Sequence, residues 1–170
     1  PDEYRSLLDT QRSLLSRHRA LLRHDHFRNR FDAHTLAPTP PMPGLALPLT
    51  QAVFDFADGR TDQARTDLCD HTSAWRRIGA NSDSLIVTMV ATALVQGNAA
   101  VYAQMLAELP AGRTEPTACT TAFAVPSAQE LSLCTAMTGE YALQRRTIDN
   151  LDAEQAGTLA GLIRSASFNP

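Results

Sequence analysis

Leucine doublets recur every seven residues at the start of the chain, at Leu7-Leu8, Leu14-Leu15 and Leu21-Leu22. Paired apolar positions at that interval predict one continuous helix over residues 3–25 with a narrow apolar stripe. Acids in its first turn and arginines in its last suit the helix dipole. Leu7, Leu14 and Leu21 form one row, Leu8, Leu15 and Leu22 the adjacent row, and Tyr4, Gln11 and His18 a more polar third. Two positions in seven make too narrow a face for a helix sunk in a core. The stripe suits either a coiled-coil seam or a groove of the same domain, and because three heptads are short for an independent coiled coil, docking in cis is the expectation.

Five prolines and a glycine then crowd residues 36–48, which predicts an extended connector, because proline lacks a backbone donor and disfavours helix at its predecessor. A proline ligand for a partner's aromatic groove is the competing reading of the same residues. Helical patterning resumes at Leu49. Ala52, Phe56, Gly59, Ala64 and Leu68 are echoed 38 residues later by Val90, Leu94, Gly97, Tyr102 and Leu106, which predicts two hairpins, each turning at its glycine. A helix from near Thr61 places Ala64, Leu68, His71, Trp75 and Ile78 on one face. Asn81 or Ser82 is expected to cap the next helix, whose run from Leu85 to Val95 is apolar nearly all round and reads as the centre of the core. Ser127 and Glu130 form a capping box ahead of a helix with Leu131, Cys134, Thr138 and Tyr141 on one face. A last helix is expected from Asp152, with Leu159, Leu162, Ile163 and Ala166 inward. The predicted architecture is all-α: a heptad helix at 1–35, a connector at 36–48, and a body of stacked helical hairpins at 49–170.

Composition supports helix. Alanine and leucine dominate, glycine is sparse, and all 15 basic residues are arginine, a pattern that codon bias explains more simply than function. Residues 1–31 hold seven arginines against four acids, a net of +3, and the remainder nets −6, so the two parts attract each other or the helix faces anionic lipid. The basic excess is too small, and too poor in aromatics, for nucleic acid. The apolar run from Leu85 covers about half the ~20 residues that a membrane span needs. The opening Pro1-Asp2-Glu3 suggests a trimmed product, which leaves room for a membrane tether upstream of Pro1. Cys119 and Cys134 are the expected disulfide, closing a loop worth roughly 3 kcal/mol and implying an oxidising compartment. Cys69 then stays a free thiol; the alternative is three buried thiols.

Candidate chemistry is sparse. His24-Asp25-His26, with His18 and His34 nearby, is the densest set of metal-ligating types, but residues two apart on a helix diverge, and a solvated helix end explains them better. His71 is a candidate general base with Asp67 or Asp70 to orient it, against the reading of a satisfied core histidine; no nucleophile stands in a recognisable elbow. Glu130 and Glu140 lack convergent spacing. Trp75, Arg76 and Arg77 form the candidate partner-binding patch, since tryptophan and arginine are enriched at binding hot spots. In the alternative, Trp75 is simply the largest core residue. No metal, cofactor or small-molecule site is predicted.

Two resemblances carry further expectations. The helix, glycine turn and helix units resemble tetratricopeptide-type hairpins in outline, which implies packing and no function. The stretch from Gly59 to Pro110, with Trp75-Arg76, Ser82-Asp83-Ser84-Leu85-Ile86 and Met105-Leu106-Ala107-Glu108-Leu109-Pro110, together with Ser167-Phe168-Asn169-Pro170, resembles a group of proteobacterial envelope proteins. That resemblance implies an N-terminal membrane anchor, a periplasmic helical domain and no catalytic residues. The expected function is protein binding in the envelope, as a scaffold or as an inhibitor or immunity protein against an envelope-acting enzyme. The competing expectations are an envelope hydrolase with its site near His71, and a stalk that binds anionic membranes.

Overall fold

The structure, a computed structural model, describes residues 2–30 and 42–166. Connector residues 36–41, His34 and the closing Ser167-Phe168-Asn169-Pro170 lie outside the described residues. Within them the chain is all-α, with α1 (Asp2–Thr10), α2 (Arg12–Leu21), α3 (Leu47–Ala57), α4 (Thr61–Ala80), α5 (Leu85–Glu108), α6 (Thr117–Ala122) and α7 (Cys134–Ala166).

The heptad segment is two helices broken at Gln11, and it docks in cis. Leu8 and Leu15 are buried together with His18, whereas Leu7 of the parallel row is 56% exposed. The buried set at 8, 15 and 18, with Gln11 and Leu22 partly covered, keeps the alternating steps of three and four of a heptad stripe, and that stripe lies on the body of the same chain rather than on a second helix of its own kind. Charge joins the two parts as their opposite excess suggests: Arg5 pairs with Asp58 at 3.1 Å and lies over the Phe54 ring. After α2 the chain runs against the α4–α5 turn. There Phe27 bridges Ser82, and Asp83 Oδ1 accepts the Asn29 amide at 3.0 Å. The turn into α3 occupies residues 43–46, so Leu47 and Pro48, assigned above to the connector, are already helical, with the proline in the first turn where its missing donor costs nothing.

α4 is the centre of the molecule, covered by α3, α5 and α6. One apolar group gathers Ala52, Leu68, Tyr102, Met105 and Ala122, and a second gathers Trp75, Ile78, Val87 and Ala91. The expected face from Ala64 to Ile78 is fully buried. The expectation that α5 fills the centre is overturned. α5 buries Val87, Ala91, Asn98, Tyr102 and Met105 along one side, while Ile86 and Met89 are 48% and 63% exposed. A helix apolar all round has no sequence signal for which side faces inward.

Four further expectations change. Gly59 turns the α3–α4 hairpin with φ +87°, but Gly97 sits inside the unbroken α5, so the second hairpin of the 38-residue echo does not form. With no proline or capping residue around Gly97, one glycine costs only about 1 kcal/mol and the helix continues through it. The disulfide joins Cys69 of α4 to Cys119 of α6, with Cα atoms 4.8 Å apart, and Cys134 is free and exposed. The Cys119 to Cys134 pairing fails because α6 packs on α4, whereas the chain beyond it leads away to the exposed start of α7; spatial approach, not sequence proximity, sets pairing. The Ser127 to Glu130 capping box forms reciprocally, at 2.9 and 3.2 Å, yet closes only a turn, with α7 starting at Cys134. α7 then runs 33 residues without a break at Asp152, since no proline interrupts it, and Leu159 faces outward at 61% exposure.

Candidate functional site

The polar centre of the body lies where α4 meets α5. Trp75 Nε1 donates to His71 Nε2 at 3.0 Å, one helical turn apart, and the Asn98 amide meets His71 Nδ1 at 2.9 Å and Thr72 Oγ1 at 3.1 Å. A neutral imidazole accepts at one nitrogen only, and Trp75 takes that position at Nε2. With Nε2 occupied by Trp75, the His71 proton sits on Nδ1, the nitrogen that faces the Asn98 side chain. Burial, with the nearby His18 adding to it, pushes the His71 pKa down to about 4. No lone pair on the ring remains open to abstract a proton. Neither Asp67 nor Asp70 orients His71, contrary to the general-base expectation: its partners are Trp75 and Asn98.

His71 also lines a cavity of about 100 Å³ between α2, α3 and α4, together with Leu15, His18, Gln51, Asp67 and Asp70. Burial raises the Asp67 carboxyl above its ordinary value, against a hydrogen bond from Gln63 that lowers it. The cavity is well below the several hundred Å³ of a typical small-molecule site.

The candidate patch at Trp75, Arg76 and Arg77 is turned to internal use. Trp75 is only 4% exposed. Arg76 pairs with Glu130 at 2.9 Å and donates Nη1 to the carbonyls of Thr121, Ala122 and Ala124, gathering the end of α6 and the turn before α7 onto α4. The Ser127 amide and Arg76 together hold the Glu130 carboxyl below its usual range. Arg77 Nη2 donates to the Leu22 carbonyl at 3.1 Å and fastens the end of α2. Of the three, Trp75 is enclosed and Arg76 largely so, whereas Arg77 remains exposed.

A second charged cluster is also structural. Arg65, 1% exposed, reaches Glu115 at 2.7 Å and Tyr102 at 3.2 Å, and Tyr102 donates to the same carboxylate. Burial and that bond push the Tyr102 phenol up. The cluster closes the α5–α6 connection on α4. His26 pairs with Asp25 past the end of α2, and among the described residues no group of three His, Cys, Asp or Glu side chains converges to hold a metal.

The surface that sequence reasoning passed over is the outer side of α5. From Leu85 to Ala107 the chain carries no charged residue, and Ile86, Met89, Ala93, Ala100 and Ala103 on its outward side are all exposed. α5 is long and apolar enough to cross a membrane by length and composition, and one side of it packs on α4. The signal was available: an uncharged run of 23 residues in a chain that is 19% charged. Next to it, α7 is seated on the α4–α5 turn and the start of α5. Ala136 is buried, Gly139 lies against the Asp83 backbone, and Glu140 Oε1 accepts the Leu85 amide at 2.8 Å, capping α5 where Ser84 makes no side-chain cap. No family model, curated protein or solved structure matches this chain.

Proposed function

We propose that this chain is a protein-binding domain of an oxidising compartment such as the bacterial cell envelope, acting as a scaffold or as an inhibitor of an envelope-acting enzyme. The observation that carries this reading is the uncharged outer side of α5. Solvent-facing helix sides of soluble domains are normally charged, whereas the exposed side of α5 up to Ala107 carries only apolar residues and the neutral Thr92, Gln96 and Gln104, the composition of a surface that another molecule covers. The Cys69–Cys119 disulfide supports the compartment, since such bonds persist where thiols are not kept reduced. The inward use of His71, Trp75 and Arg76 supports binding over turnover, because the groups best suited to chemistry are tied to one another.

The test is affinity capture from envelope extract with the wild type and with Met89→Glu, whose side chain is 63% exposed and so leaves folding intact. A partner recovered by the wild type and lost with Met89→Glu is the expected result. Equal recovery by both, or ester, peptide or glycan hydrolysis that disappears in His71→Ala, would overturn it.

A further inference from the structure

α7 is about 50 Å long at 1.5 Å per residue, and among the described residues its seat on the body lies near its start, at Gly139 and Glu140. From Ile148 onward every side chain described is exposed. An isolated helix of this kind is marginal in water and needs a face to bury. Its residues provide one. Met137, Tyr141, Gln144, Ile148 and Leu151 follow each other at alternating steps of four and three, the 3.5-residue period of a two-stranded coiled coil. Met137, Tyr141 and Ile148 are 52%, 66% and 58% exposed, and Leu151 is 39% exposed.

The charges beside the stripe indicate what covers it. Arg145 and Arg146 precede Asp149 and Asp152, so the helix passes from a basic to an acidic segment. Among the described residues Arg145 and Asp152 make no ion pair. Laid antiparallel on a second copy of itself, the basic segment meets the acidic one twice across a two-fold axis; laid parallel, Asp152 meets no basic residue and Arg145 meets Glu140, whose carboxylate already holds the Leu85 amide. We infer that α7 pairs antiparallel with α7 of a second copy of this chain, with Ile148 packed against Leu151 of the partner subunit, and Arg145 beside Asp152 of the partner subunit. The antiparallel order also places the two bodies at opposite ends of the paired helices, where they do not collide.

This inference rests on reading uncovered apolar helix sides as binding surface, and the two fail separately, because the dimer uses α7 and the partner surface uses α5. Met89→Glu leaves the dimer intact.

The test uses the full chain. Light scattering at micromolar concentrations is expected to give a dimer, and Ile148→Asp a folded monomer, since that side chain is exposed within one copy. Arg145→Asp and Asp152→Arg should each weaken the dimer about tenfold or more by setting like charges together, and the double variant should recover it. A spin label on Cys134, the one free thiol among the described residues, reads direction. The antiparallel register sets the two Cys134 positions roughly 45 Å apart along the axis, and a parallel pair sets them side by side. A monomer throughout, a short label distance, or charge variants that do not rescue each other overturn the inference.

Discussion

His71 illustrates how one residue's environment decides its role. Its ring is 3% exposed, its Nε2 lone pair is filled by Trp75, and its pKa is about 4 rather than 6.5. In the unfolded chain the same ring takes a proton near pH 6.5. Between these values the unfolded state binds more protons, so stability present above pH 6.5 is lost as pH falls toward 4, by up to about 3 kcal/mol. Urea midpoints measured from pH 7 to pH 4.5 should show that loss, and His71→Gln, which keeps an acceptor for Trp75 without a titrating ring, should flatten it. An unchanged slope in the variant would place the acid sensitivity elsewhere. The sequence marked His71 and Trp75 as neighbours on one helix face. It did not mark Asn98, which arrives from α5 and meets the other ring nitrogen.

At the scale of elements, two glycines of α7 separate attachment from propensity. A Cβ on Gly139 would stand 1.9 Å from the Asp83 carbonyl oxygen, whereas a Cβ on Gly157 meets nothing within 4 Å. Alanine is the better helix former by about 1 kcal/mol at either place. Gly157→Ala should therefore stabilise α7 by up to about 1 kcal/mol. Gly139→Ala should destabilise the protein by about 1–3 kcal/mol, because backbone, not a flexible side chain, must give way. Thermal unfolding of the two variants should move in opposite directions; a shift of the same sign in both would mean that α7 is not seated on the α4–α5 turn. Helix positions were largely legible from periodicity and caps. Helix ends were not, at Gln11, Gly97 and Asp152, because breaks there depend on what the helix lies against.

For the whole molecule, the Cys69–Cys119 bond spans a sequence separation of 50 and ties the central α4 to α6. On the chain-entropy relation a loop of that size contributes about 4 kcal/mol. Denaturant unfolding with and without reductant should differ by about that amount, and thiol titration of the denatured, unreduced protein should find one reactive group, Cys134. Three reactive thiols, or a difference under about 1 kcal/mol, would remove the bond from the account of stability. The sequence by itself determined the all-α class and the buried face of α4, which are written in local periodicity and composition, and it made cis docking of the leucine helix the expectation over a coiled-coil seam. Only the tertiary structure decided which cysteines meet, that Trp75, Arg76 and Arg77 are spent on internal fastening, and that α5 and α7 keep apolar sides uncovered. Those outcomes depend on which segments pack together, and a helix apolar on every side, or a cysteine whose partner in space is not its nearest in sequence, carries no local mark of its neighbour.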